Sequence, residues 1–102
     1  MLRIFKGGLD MGLFSKKKKT TVDYNAMFKE QYKSINQLTQ QAQNELDFVI
    51  KESLYEVIVE KYRELIELID QGAHFDKEHF EALKDNAIKE LQSIHQINEM
   101  NT

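Results

Sequence analysis

The feature that most restricts the fold of this chain is its lack of chain-breaking residues. The 102 residues contain no Pro and only four Gly, three of which lie within the first twelve positions. β-Hairpins need Gly, Asn, Asp or Pro in their turns, so this sequence offers very little turn material for a β-sheet protein. We therefore predict an all-α fold, and the length allows one small domain.

Local signals predict a helix that starts early and runs far. Asp23 is a suitable N-cap for a helix that begins at residue 24, because its carboxylate can accept the free N–H groups of the first turn. No Gly or Pro follows until Gly72, which stands where a left-handed C-terminal cap is expected. These signals predict one long helix over about 24–71, either straight or kinked.

A second helix follows a short connector. Asp76 is the predicted N-cap, and Glu78 in the first turn suits the positive end of the helix dipole. The helix is expected to cover about 77–98, which makes 22–98 the helical domain and leaves 99–102 as a frayed tail.

The middle of the chain is apolar on two sides. Between positions 54 and 69 the apolar residues spread over roughly 200° of a helical projection, whereas they cover roughly 140° before position 50. In a straight helix, the centre of the apolar stripe would jump by roughly 150° near 51–53. Ser53 and Glu56 have the spacing of a capping box, so a break there is one explanation of the jump.

Two architectures are therefore open. In the first, which we favour, a helical hairpin leaves one side of the long helix for another chain, either a second copy or a different protein. In the second, a three-helix bundle is broken near 51–53 and covers its own middle segment. The hairpin predicts a homo-oligomer, which also suits a domain of this size, since its core alone gives only about 3 to 5 kcal/mol. The residues predicted to form the protein interface are Leu54, Tyr55, Ile58, Tyr62, Leu65, Ile66 and Ile69.

The charges divide the chain into a basic tail and an acidic body. Residues 1–20 carry six basic groups against one acid, and the rest carries eight against sixteen. We predict that residues 1–21 form a flexible tail. Its Leu13 and Phe14, followed by Lys16, Lys17, Lys18 and Lys19, are candidates for contact with an anionic membrane or with phosphate.

The first ten residues have an additional interpretation. Lys6-Gly7-Gly8 can be encoded by a purine-rich sequence like a bacterial ribosome-binding site, and it lies just before Met11. Two interpretations are open: either translation begins at Met11, so that 1–10 are not made natively, or 1–10 are an ordinary flexible N-terminus in which Lys-Gly-Gly occurs by chance. No secretory signal is recognised, so we expect a cytoplasmic protein of bacterial, phage or mobile-element origin, with peripheral contact at the inner membrane face as an option.

Chemical motifs are sparse. The absence of Cys removes disulfides, zinc–thiolate sites and cysteine nucleophiles, and no P-loop or nucleophile elbow is present. His74, Asp76, Glu78 and His79 cluster in sequence, but their spacing matches no known metal motif. We therefore expect no enzyme activity, no cofactor and no metal.

The predicted function is that of an adaptor, inhibitor or assembly factor that binds protein. The alternative is a nucleic-acid-associated regulator that uses the basic tail, although the acidic body argues against nucleic acid as a partner.

Overall fold

Three α-helices make up the fold. The computed structural model describes residues 22–101, and within them the helices are α1 (Tyr24–Asn44), α2 (Phe48–Gln71) and α3 (Lys77–Met100). The prediction of an all-α fold is confirmed for these residues. Helix α3 continues two residues beyond the predicted end at position 98.

The helices run up, down and up, with α2 in the middle. The Tyr24 ring at the start of α1 lies 3.3 Å from where a Cβ on Gly72, just after α2, would be. At the other end, the Asn98 side-chain amide near the end of α3 donates to the backbone oxygen of Phe48 at the start of α2, at 2.9 Å. Each neighbouring pair is therefore antiparallel, and α2 packs against both α1 and α3.

The predicted caps are in place. Asp23 Oδ1 accepts a hydrogen bond from the backbone N–H of Ala26 at 3.0 Å, and Asp76 caps α3 through two backbone N–H groups. Gly72 ends α2 with φ of 142°, and its N–H donates to the Leu68 carbonyl at 3.1 Å. This backbone conformation is one that side chains with a Cβ avoid, which explains the Gly.

The single long helix over 24–71 is wrong, because the chain leaves the helical conformation at Glu45–Asp47. Asp47 supplies the start of α2: its Oδ1 accepts from the N–H groups of Val49 and Ile50 at 2.9 and 3.4 Å. The three-helix alternative has the right number of helices, but its break near 51–53 is also misplaced. Ser53 lies inside α2, where its hydroxyl donates to the Val49 carbonyl at 3.4 Å.

The core runs along α2 and is closed at one end by aromatic rings. Phe28 of α1 stacks on Phe75 of the α2–α3 connector, with ring centroids 3.9 Å apart and planes 9° apart. Phe80 of α3 meets Phe28 edge-on at 4.9 Å and Tyr32 at 5.2 Å. These rings join α1 to α3. The buried core residues are Phe28, Ile35, Ala42, Tyr55, Ile58, Val59, Tyr62, Leu65, Ile66, Ala73, Phe80, Ala87 and Ile94.

Candidate protein-interaction surface

The residues predicted to bind another chain lie in the core of this one. The predicted set on α2 divides into five buried side chains and two that are partly buried against the core: Tyr55, Ile58, Tyr62, Leu65 and Ile66 are buried, and Leu54 and Ile69 are partly buried. Because the chain breaks at 45–47, α1 folds back and covers one side of α2 while α3 covers the other. Both apolar sides of α2 are therefore covered by helices of the same chain. A role for these residues in binding a partner stays a prediction.

Part of this set reaches the surface in one groove. Between α1 and α3, a groove of about 370 Å³ is lined at α2 by Tyr55, Ile58 and Tyr62, with Gln43 and Glu90 on the flanking helices. Burial raises the pKa of both Tyr55 and Tyr62, with nearby Glu90 and Tyr32 as the smaller respective causes. The two tyrosines therefore remain neutral donors at physiological pH.

A larger apolar surface lies at the end of the bundle opposite the aromatic rings. We call it the apolar end, and it comprises Leu46, Phe48, Val49, Ile50, Ile97 and Met100. Leu46 is 91% exposed, Met100 is 82% exposed and Val49 is 65% exposed. The hydrogen bond from Asn98 to the Phe48 carbonyl holds the end of α3 beside the start of α2, so both helices contribute to this surface.

Sequence reasoning missed the apolar end. Leu46, Val49 and Ile50 fall on the same arc as the apolar residues of α1 when the helix is drawn without a break, and they then count as core. The available signal was Asp47, which directly precedes the apolar run of residues 48–50 and is a good N-cap residue.

The half of the bundle that carries the apolar end is strongly acidic. We call residues 36–60 and 86–101 the acidic half: it contains seven carboxylates against Lys51 and Lys89, a formal charge of −5. The remaining described residues contain nine carboxylates against six basic groups, a formal charge of −3. Lys51 is partly engaged already, since its Nζ lies 5.4 Å from the centroid of the Phe48 ring.

Carboxylates also line a groove beside the apolar end. This groove, of about 630 Å³ between α2 and α3, includes Glu52, Glu56, His95 and Glu99. His95 Nδ1 lies 2.8 Å from Glu52 Oε2, and its Nε2 lies 3.3 Å from Glu99 Oε2. Asn98 donates to Glu52 Oε1 at 2.7 Å.

These contacts shift both titrating groups of the central pair. The pKa of His95 is raised, first by its hydrogen bond with Glu52 and then by the charges of Glu99 and Glu52. The pKa of Glu52 is lowered, first by the hydrogen bond from Asn98 and then by the one with His95. Both shifts favour the charged forms, so the groove carries an ion pair between Glu52 and His95 at mildly acidic pH.

Several other predictions can be placed against the described residues. Leu13, Phe14 and Lys16 to Lys19, together with the proposed start at Met11, lie outside residues 22–101, so the membrane or phosphate contact stays a prediction. Within 22–101, no helix has the length and apolar character needed to cross a bilayer. In the same residues, no three His, Asp or Glu side chains are grouped so as to hold a metal ion.

Comparison with known proteins identifies no similar protein. The chain matches no protein-family model, no curated protein and no solved structure at a significant level.

Proposed function

We propose that this chain is a small non-enzymatic protein that works by binding another protein, as an adaptor, inhibitor or assembly factor. The observation that carries the proposal is the apolar end. Six large apolar side chains at this end are between 37% and 91% exposed, with Leu46 and Met100 almost entirely so. Large apolar side chains grouped at one end of a protein are typical of interaction sites, because leaving them in water is unfavourable.

The composition of the surface supports the same function. Its apolar centre is bordered by charged groups, with Lys51 and Asp47 close in sequence to the exposed side chains, which is the usual arrangement of an apolar core and polar rim at protein interfaces.

The test is capture of partners from cells of the natural host, with a matched pair of variants. The full chain is used as bait beside Leu46→Ser with Val49→Ser, which alters the apolar end. The control is Val22→Ser with Met27→Ser, which removes two apolar side chains that are 51% and 48% exposed near the opposite end. All four positions are exposed, so the fold is expected to survive both pairs of changes, and circular dichroism checks this.

We expect the wild-type chain and the control to capture the same protein, and the apolar-end variant to lose it. Capture that is equal in all three, or absent in all three, would contradict the proposed function.

A further inference from the structure

We propose that the groove between α1 and α3 binds a small uncharged ligand in which an aromatic ring carries a carbonyl or amide group. This groove is a different part of the molecule from the apolar end, so the proposal goes beyond the proposed function and does not depend on it. The supporting observations are the size of the groove, two buried tyrosine hydroxyls that line it, and the distribution of charge around it.

The groove exists because α1 and α3 do not meet along it. Over the described lengths of both helices, no Cα atom of α1 lies within 8 Å of a Cα atom of α3. At one end of the bundle, the rings of Phe28 and Phe80 fill the gap. Farther along, the smaller side chains of Thr39 and Ala87 face the gap, and it stays open above α2. Its volume of about 370 Å³ lies at the small end of the range for small-molecule sites, about 300–1,000 Å³.

Tyr55 and Tyr62 give the floor of the groove its polar groups. The two residues are only 6% and 8% exposed, and neither hydroxyl forms a hydrogen bond with another residue of 22–101. Because their pKa values are raised, both hydroxyls keep their protons and can donate them. A buried donor without a partner is unfavourable, so a ligand that accepts these hydrogen bonds is stabilised in the groove. Carbonyl and amide oxygens are suitable neutral acceptors.

The rest of the floor and one wall favour an aromatic body. Ile58 lies between the two tyrosines on α2, and Leu83 and Ala87 form an apolar wall on α3. An aromatic ring packs favourably against such side chains and against the tyrosine rings. At the rim, the side-chain amides of Gln43 and Asn86 form no hydrogen bonds with other residues of the described chain. They can therefore both donate to and accept from the polar group of the ligand.

The distribution of charge favours an uncharged ligand. Lys51 on α2 and Glu90 on α3 both line the groove, and their formal charges cancel. The charge of Glu90 contributes to the raised pKa of Tyr55, so an anionic ligand group beside this hydroxyl would be repelled. The floor itself offers no charge that could pair with a charged ligand group. Moving such a group out of water without a counter-charge is costly.

The test uses three probes of nearly identical shape and the full chain as receptor. Benzamide carries an uncharged amide on an aromatic ring, benzoate carries a negative charge in the same place, and benzamidine carries a positive charge there. Each probe is titrated into the protein and followed by NMR of the side-chain methyl groups. Ile58 and Ala87 report on the groove, whereas Ile97 reports on the apolar end.

We expect benzamide to bind with a Kd in the millimolar range, which is usual for so small a ligand. It should shift the methyl signals of Ile58 and Ala87 and leave that of Ile97 unchanged. Benzoate and benzamidine should bind at least about tenfold more weakly, because the groove floor does not compensate for the loss of water around their charges.

A matched pair of variants tests the hydroxyls. Tyr55→Phe with Tyr62→Phe removes them and keeps the rings, and should weaken benzamide binding by about fivefold or more. Tyr24→Phe with Tyr32→Phe changes the other two tyrosines, which are not among the groove residues, and should leave the Kd within about twofold. Because the groove hydroxyls have no partner in the described chain, their removal should leave the urea midpoint of the free protein unchanged or higher.

Four results would overturn the proposal. Absence of saturable benzamide binding would show that the groove is not a ligand site. Shifts confined to Ile97 would place the binding at the apolar end. Equal or tighter binding of benzoate or benzamidine would reject an uncharged ligand. A lower urea midpoint with unchanged benzamide affinity in Tyr55→Phe with Tyr62→Phe would assign the hydroxyls a structural role alone.

Discussion

Replacing Phe28 by Leu should expose how much the aromatic rings contribute to joining α1 and α3. Phe28 is 1% exposed, stacks on Phe75 and meets Phe80 edge-on. Phe28 also lies 6.4 Å from Tyr32, its neighbour on α1. An aromatic pair contributes about 0.5 to 1.5 kcal/mol beyond its buried area, so the loss of the two pairs with Phe75 and Phe80 should by itself lower the free energy of unfolding by about 1 to 3 kcal/mol. Leu keeps an apolar side chain in the site, so the loss should stay below the about 3 to 5 kcal/mol expected for Phe→Ala.

The assay is urea unfolding of the full chain followed by far-ultraviolet circular dichroism. The midpoint should fall while the slope stays constant, because the surface exposed on unfolding barely changes. Phe48→Leu is the matched control: this Phe is 41% exposed, so the same substitution should change the free energy of unfolding by no more than about 0.5 kcal/mol. If both variants lose the same amount, the aromatic rings do not hold α1 to α3 as described.

Three further predictions concern a helix end, an ion pair and the break. Gly72→Ala should lower the free energy of unfolding by about 1 to 3 kcal/mol, since φ is 142° and the new Cβ would lie 3.3 Å from the Tyr24 ring; an unchanged urea midpoint would contradict this. His95 has a raised pKa, so its stabilising effect is complete below its ordinary pKa of 6.5 and is lost as the pH rises through the higher folded value. Glu52 has a lowered pKa, so its effect is present above 4.5 and is lost as the pH falls through the folded value. The difference in Tm between wild type and His95→Gln should therefore be largest between these two pH values and shrink toward about pH 8; a difference that grows instead would reverse the assignment. Asp47→Ala should lower the free energy of unfolding by about 1 kcal/mol without raising the helix content, measured by urea unfolding and circular dichroism. A more helical, equally stable variant would mean that Asp47 does not maintain the break.

The parts of the fold that depend on local signals could be predicted. Asp23 and Asp76 identify helix starts because their carboxylates cap the first N–H groups, and Gly72 identifies a helix end because its backbone conformation excludes a Cβ. The break at 45–47 has only one such signal, Asp47, with no Gly or Pro beside it. Its position is determined by α1 folding back onto α2, which is a tertiary effect.

The wrong position predicted for the helix break also explains why the exposed apolar end was not predicted. The two-sided apolar character of α2 was recognised, but which chain covers it depends on whether α1 continues α2 or folds back along it. Once α1 folds back, residues such as Tyr55 and Leu65 become core, and Leu46 moves from the predicted core to the exposed end. A shift of the break by a few residues thus exchanges the buried and exposed sets.

The central position of α2 has a consequence for how the chain folds. Each helix packs on the one next to it in sequence, and the connections between them are only 45–47 and 72–76. Most contacts therefore form between segments that are close along the chain, and little entropy is lost in closing the loops. Helical domains with such local topology fold in microseconds to milliseconds, so this chain should reach its native state rapidly and without long-lived intermediates.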